Sequence, residues 1–175
     1  MRGHRPSGFS LVEFLVVVVA ISIVAGVLLD RVLPLIGRAQ RAAFVQVRAD
    51  LQTALLFEAA ERVTRGDAAS LQNFADRNPM TFLVAPPANY VGSFAQPHED
   101  DIPVASWYFD EHVHRLVYRV GRYTRFDALG GPPGRVELKT EFVFDDRNGD
   151  GTFEPGPDDF KGLRLTPVHA FAWPD

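Results

Sequence analysis

The feature that most constrains this chain is an apolar run near its amino terminus. Residues 9–29 are FSLVEFLVVVVAISIVAGVLL, and their only polar side chains are Ser10, Glu13 and Ser22. About 20 apolar residues are enough for an α-helix to cross roughly 30 Å of hydrocarbon. The run therefore predicts one membrane-spanning helix with a glutamate close to its start.

Glu13 is energetically unfavourable in such a helix. An ionised carboxylate near the bilayer centre costs about 2.5–3.5 kcal/mol even on a lenient insertion scale. Ionisable residues inside membrane segments usually have a functional role. We therefore expect Glu13 to have one.

A second helical pattern follows the apolar run. Apolar residues recur every three or four positions, with charged residues between them, which is typical of an amphipathic helix. These positions are Ile36, Ala39, Ala43, Val47, Leu51, Leu55, Ala59 and Val63. Pro34 is expected to kink this helix without ending it, and Gly66 suits a left-handed carboxyl-terminal cap. We predict one continuous helix, with a membrane half at residues 9–29 and an amphipathic half at residues 30–66.

Residues 67–175 are predicted to form a separate domain. A short helix is expected at residues 67–78, followed by a long ordered loop up to residue 103 that has room for one edge strand. Strand-like runs then occur at residues 106–110, 115–120, 135–146 and 162–173, and their composition and alternation indicate strands of a sheet with one buried face. The predicted fold class is α+β, in which a long helix packs on an antiparallel sheet of about four strands.

Composition excludes several classes of function. The net charge is −4 and no basic run is present, whereas nucleic-acid binding needs clustered Lys and Arg to neutralise phosphates. The absence of cysteine excludes disulfides, thiolate metal sites and cysteine nucleophiles. We find no phosphate-binding loop, activated serine or convincing carboxylate pair, so neither nucleic acid nor an enzymatic reaction is predicted.

The stretch RPSGFSLVEF at residues 5–14 resembles the cleavage and methylation motif of type IV prepilins and type II secretion pseudopilins. In that family a short basic leader ends in a glycine, which corresponds to Gly8. A membrane peptidase cuts after this glycine and methylates the new amino terminus, which corresponds to Phe9. The family glutamate matches Glu13, and the resemblance implies a leader at residues 1–8.

The resemblance also implies a role for Glu13 in assembly. An amine at Phe9 and a carboxylate attract each other strongly in a medium of low dielectric constant, and in the family this pair is thought to join neighbouring subunits. The implied partners are other pilin or pseudopilin subunits, the prepilin peptidase and the inner-membrane assembly platform. The implied fold is type IV pilin-like, with the leader in the cytoplasm and residues 67–175 in the periplasm.

The function implied in this way is structural. The chain would be a minor subunit of a type IV pilus or of a type II secretion pseudopilus, held in the bacterial inner membrane until it polymerises. A secretory signal peptide is the alternative interpretation of the apolar run, since basic residues precede the run and small residues lie near its end. Glu13 inside the apolar core, and the helix that follows without a processing loop, argue against that alternative.

The stretch DDRNGDGTFEPGPDD at residues 145–159, called the acidic loop below, predicts a calcium site. Oxygen-bearing side chains stand at alternate positions, as in an EF-hand loop. The candidate ligands are Asp146, Asn148, Asp150, Thr152, Glu154 and Asp158. Pro157 occupies the place of the usual bidentate glutamate, so Asp158 or Asp159 would have to replace that ligand. A plain turn between strands is the alternative, because Asn-Gly and Asp-Gly pairs favour tight turns.

Two histidines leave a further alternative open. His112 and His114 are spaced as two ligands of a metal enzyme can be, or they lie exposed in a hairpin turn. The rivals of a filament subunit are thus a membrane-anchored periplasmic binding module that uses calcium, and a hydrolase built around these histidines.

Overall fold

The computed structural model describes residues 10–174, so Gly8 and Phe9 lie outside the described residues. The described chain begins with the helix α1 (Leu11–Thr64). Short 3-10 helices follow at Ala68–Phe74, Pro79–Phe82 and Glu99–Asp101. The strands are β1 (Tyr90–Phe94), β2 (Trp107–Asp110), β3 (Arg115–Arg119), β4 (Arg135–Asp145) and β5 (Asp159–Pro167).

The helix α1 is continuous over 54 residues, which corresponds to about 80 Å at 1.5 Å per residue. Pro34 lies inside the helix and does not end it. Just beyond the helix, Gly66 adopts a φ of +76°, and its amide donates to the carbonyl oxygen of Val63 at 3.0 Å. This left-handed cap satisfies a carbonyl that the helix end leaves without an intrahelical partner. The predictions of a continuous helix and of a glycine cap are confirmed.

The strands of the described chain form one sheet in the order β1-β2-β3-β4-β5. Strands β2 to β5 pair antiparallel, with Phe142 of β4 opposite Leu163 of β5, whereas β1 pairs parallel with β2. The predicted α+β, pilin-like architecture is confirmed, with a mixed sheet of five strands in place of about four antiparallel ones. The parallel pair is possible because residues 95–106 supply the dozen residues that a crossover between parallel strands requires.

The predicted bounds of the last strand differ from the observed ones. We predicted residues 162–173, but β5 ends at Pro167 and the chain then turns toward α1. Phe171 and Trp173 lie against Phe44 of the helix, with ring centroids 5.8 and 5.5 Å apart. Beyond β5 these aromatic rings pack on α1, and Ala172 between them pairs with Asp127 in an isolated antiparallel bridge.

The core lies between the amphipathic half of α1 and one face of the sheet. Phe44 stacks on Trp107 of β2, with ring centroids 5.2 Å apart and planes inclined by 6°. The buried helix positions are Gly37, Phe44, Leu51, Leu55 and Ala59, which form one stripe at helical spacing. Leu71 and Phe74 of the first 3-10 helix are also buried in this core, as the predicted short helix requires.

A side chain of α1 covers part of the free edge of β5. Gln52 donates from Nε2 to the carbonyl oxygen of Leu163 at 2.9 Å, and its Oε1 accepts from the amide of Leu165 at 2.9 Å. An exposed strand edge is a template for unwanted pairing with another chain. Gln52 therefore takes the place of a neighbouring strand at this point of the edge.

We expect Gln52→Ala to lower the free energy of unfolding by about 2 kcal/mol, because a partly buried donor and acceptor that lose their partner cost about 1–3 kcal/mol each and water restores part of this. Gln46→Ala is the matched control, since Gln46 is exposed and donates to Asp50 on the same helix. Its expected effect is within about 0.5 kcal/mol. Denaturant unfolding of the full chain in mild detergent measures both variants, and equal effects would contradict a stabilising role for the edge contact.

Candidate functional site

The membrane half of α1 is exposed wherever the structure describes it. Every side chain of residues 11–29 is exposed, and Leu11 retains 81% of its surface. Among the described residues, this helix alone is long and apolar enough to cross a membrane, and its most apolar window is 0% buried. The core helix of a soluble protein would bury one face. The membrane half instead leaves every face available to lipid or to other helices.

Glu13 lies in the first turn of α1 and is exposed. Amide groups in the first turn of a helix lack intrahelical partners, and the helix dipole favours a negative charge there. Phe9, which stands four residues earlier in the sequence, lies outside the described residues. The pairing of the Phe9 amine with Glu13, and cleavage after Gly8, therefore stay predictions.

The carboxylate of Asp146 in the acidic loop accepts hydrogen bonds from backbone amides. Its Oδ1 accepts from Gly149 at 2.7 Å and its Oδ2 from Gly151 at 2.8 Å. Both glycines are left-handed, with φ of +75° and +78°, a conformation that glycine adopts without steric cost. Asp146 thus holds the tight turn that the Asn-Gly and Asp-Gly pairs predict.

The other carboxylates of the loop also face groups of the protein. Asp158 is buried and accepts from the amides of Arg147 and Glu154, at 3.1 and 2.8 Å. Asp150 accepts from the amide of Thr152 at 2.7 Å and from the side chain of Asn148 at 2.9 Å. The bond between the Arg147 amide and Asp158 joins the two ends of the loop without sulfur.

The six predicted calcium ligands therefore share one loop but are not gathered around one point. In the part of the chain that the structure describes, no group of three or more His, Asp or Glu side chains is placed to hold a metal ion. The side chains of Thr152 and Glu154 are exposed. The oxygen chemistry suits calcium, but this arrangement is not a coordination sphere, so calcium binding stays a prediction.

We expect the loop to bind calcium weakly, with a dissociation constant on the order of 10⁻⁴ to 10⁻³ M as in extracellular modules. Calcium at ten times that constant would then stabilise the folded chain by about 1.4 kcal/mol. Thermal unfolding of the full chain in detergent, with calcium and with chelator, measures the effect.

The matched variant for this experiment is Asp150→Asn. It removes a charge but keeps an oxygen that can accept from Thr152, whereas Asp146→Ala would also remove two amide hydrogen bonds of the turn. We expect Asp150→Asn to abolish most of the calcium effect. If calcium does not change the melting temperature, or changes it equally in Asp150→Asn, the interpretation of the acidic loop as a plain turn is the one that stands.

The two histidines lie in the hairpin between β2 and β3 and are exposed. His114 has a φ of +51°, and its Nδ1 is 3.1 Å from the carbonyl oxygen of Asp76. Asp110 caps the same turn by accepting from the amides of His112 and Val113, at 3.0 and 3.3 Å. This geometry favours the interpretation of the histidines as turn residues.

Two glycines that we did not single out in the sequence allow α1 to approach the loop at residues 121–124. A Cβ atom at Gly37 would clash with the carbonyl oxygen of Tyr123, and one at Gly121 would clash with the side chain of Gln40. Gln40 Oε1 accepts from Thr124 Oγ1 at 2.5 Å beside them. Glycine inside a helix is unfavourable by about 1 kcal/mol relative to alanine, so Gly37 was the one sequence signal of this contact.

One comparison with known proteins identifies the amino-terminal segment. Residues 3–29 match the family model of the prokaryotic N-terminal methylation motif. No curated protein and no solved structure matches the chain. The match covers Gly8, Phe9, Glu13 and the whole of the membrane half. It is consistent with the family of prepilins and pseudopilins, whose members are structural rather than enzymatic.

Proposed function

We propose that this chain is a minor structural subunit that polymerises into a type IV pilus or a type II secretion pseudopilus. The methylation motif at residues 3–29 supports a precursor of the type IV pilin or pseudopilin kind. In this proposal residues 1–8 are the leader, the peptidase cuts between Gly8 and Phe9, and Phe9 is then methylated. The mature chain begins directly with the membrane half of α1.

The observation that carries the proposal is the unpartnered membrane half. Its exposed side chains include a long series of Val, Leu and Ile, and full burial of each such side chain is worth about 1.5–3 kcal/mol. Exposure of all these side chains to water would therefore cost tens of kcal/mol. Only lipid or a bundle of similar helices covers all faces of a helix, so the same segment suits both a membrane anchor and a filament core.

Glu13 supplies a reason for the membrane half to move from lipid into a filament core. A lone carboxylate is costly in lipid, whereas a carboxylate that meets the amine of a neighbouring subunit is compensated. Assembly then pairs the charge of one subunit with that of the next and sets their axial offset. The motif implies other pilin subunits and the prepilin peptidase as partners, and we propose the inner-membrane assembly platform as a third.

The proposed location follows from the same arrangement. An apolar amino-terminal helix and the motif fit anchoring in a membrane. We place the domain of residues 67–175 in the periplasm and the leader in the cytoplasm, with the amphipathic half, residues 30–66, docked on the domain. Polymerisation would withdraw the membrane half, residues 9–29, from lipid into the filament.

Mass analysis of the amino terminus of the membrane-bound protein tests the proposal. We expect the chain to begin at Phe9 and to carry one added methyl group. An intact Met1 together with stoichiometric calcium would support the membrane-anchored binding module instead.

A further inference from the structure

The acidic loop contains the one Asn-Gly pair of the chain, Asn148-Gly149. Asn148 is exposed, and Gly149 has a φ of +75°. Because glycine has no Cβ atom, no side chain shields the backbone nitrogen that follows Asn148. The carboxamide carbon of Asn148 is an electrophile, and the Gly149 nitrogen is a nucleophile close to it along the chain. Neither processing nor polymerisation uses this pair.

Asp146 places a base at this nucleophile. Its Oδ1 is 2.7 Å from the Gly149 nitrogen and accepts a hydrogen bond from it. The other oxygen, Oδ2, accepts from the amide of Gly151 at 2.8 Å, and the two bonds together fix the orientation of the carboxylate. A general base must lie within hydrogen-bond reach, about 2.6–3.2 Å, of the proton that it removes. Asp146 therefore meets the geometric requirement for a base that removes the Gly149 proton.

The side chain of Asn148 is held at both ends of its carboxamide. Its Oδ1 accepts from the amide of Asp150 at 3.1 Å, and its Nδ2 donates to Asp150 Oδ2 at 2.9 Å. A donor on a carbonyl oxygen stabilises the negative charge that develops there when the carbonyl carbon is attacked. The two bonds also restrict rotation of the side chain, which lowers the entropy cost of reaching a reactive geometry. Asp150 is therefore a positioning residue for the electrophile.

We propose that Asn148 and Gly149 form a self-modification site, at which the folded chain converts Asn148 into aspartate. The Gly149 nitrogen forms a bond to Cγ of Asn148, and its proton passes to the carboxylate of Asp146. The bond between Cγ and Nδ2 breaks, and the Nδ2 group leaves as ammonia with a proton from solvent, to which Asp146 returns its own. This step leaves a five-membered succinimide ring between residues 148 and 149.

Water then opens the succinimide ring. Addition of water at Cγ gives an aspartate at position 148 in an ordinary backbone, whereas addition at the backbone carbonyl carbon gives isoaspartate. The net reaction consumes one water and releases one ammonia, so it needs no oxidant, metal or second protein. Either product adds a carboxylate, and the acidic loop becomes more negative as the chain ages. This proposal rests on neither calcium binding nor polymerisation.

A time course on the full chain in detergent tests the proposal without any substitution. Peptide mapping by mass spectrometry measures conversion of Asn148 in the folded chain and in the same chain unfolded by guanidinium chloride. We expect the folded chain to react at least about tenfold faster, because a positioned general base contributes about 10²–10⁴-fold and a carboxylate is a weak base. Asn73 is the internal control, since it is exposed but precedes the bulky Phe74, and it should remain unchanged.

Asp146→Ser distinguishes the base from the turn. A serine hydroxyl can still accept from a backbone amide in a turn, but it does not take up a proton at neutral pH. The rate in this folded variant should therefore fall by about tenfold, to that of the unfolded chain. Asp159→Ser is the matched control, because it removes from the same loop a carboxylate that pairs with Arg147 and Lys161. It should change the rate by less than about twofold.

The outcomes separate a reactive turn from a protective one. A folded chain that reacts no faster than the unfolded chain would overturn the proposal and would show that the turn protects Asn148. An unchanged rate in Asp146→Ser, or equal losses of rate in the two variants, would overturn the assignment of Asp146 as the base.

Discussion

A Gly8→Leu variant is expected to remain in the membrane as the full-length precursor, with almost complete loss of processing. The peptidase must reach the peptide bond between Gly8 and Phe9, and a branched side chain beside that bond obstructs access, whereas glycine is small and conformationally free. Mass analysis of the membrane fraction distinguishes precursor from mature chain by the mass of residues 1–8.

Gly3→Leu is the control for this experiment. It places the same side chain within the predicted leader, five residues before the cleavage site, and should be processed normally. Trimming of Gly8→Leu to Phe9 would show that the peptidase of this family does not act here. Failure of both variants to be trimmed would instead point to a general effect of leader substitutions.

A Glu13→Leu variant is expected to reach the membrane at a normal level and to be lost from filaments. Membrane insertion should improve, because an apolar residue in a spanning helix has a more favourable free energy of insertion than a charged one. Assembly should fail because an amine buried without its carboxylate costs about 3–5 kcal/mol. This corresponds to a reduction in incorporation of more than about a hundredfold, measured by quantifying the subunit in sheared filaments and in membranes.

Ser22→Leu supplies the matched control, because Ser22 is polar and lies in the same membrane half. Its Oγ donates to the carbonyl oxygen of Val18 at 2.8 Å, so its polar group is satisfied within the helix. This variant should enter filaments normally. Normal incorporation of Glu13→Leu would remove the role that we propose for the carboxylate.

Prediction from sequence was accurate where the physical cause is local. The periodicity of apolar residues predicts the continuous helix α1, and alternation in the later runs predicts strands β2 to β4 within a few residues. Prediction failed where the outcome depends on distant partners. β1 lies in a segment predicted as a long loop with room for one edge strand, and it pairs parallel with β2. The chain beyond Pro167 leaves the sheet, and its aromatic rings pack on Phe44.

In the candidate sites, too, some features follow from the local sequence and others depend on the folded structure. The motif at Gly8, Phe9 and Glu13 is a contiguous pattern, so a family comparison finds it without any fold. The acidic loop is also contiguous, and its sequence predicts both a turn and a cation site. The structure places the carboxylates of Asp146 and Asp158 on backbone amides, which is a property of the folded backbone and not of residue spacing.

The sequence by itself determined that this chain has an apolar helix with a carboxylate in its first turn, within a methylation motif, because these properties depend on neighbouring residues. Only the tertiary structure decided which groups meet across long separations. Gln52 covers the edge of β5 across 111 and 113 residues, and Gln40 meets Thr124 across 84. Such contacts hold the distant loop at residues 121–124 against α1, and no local pattern specifies a surface that two remote segments create together.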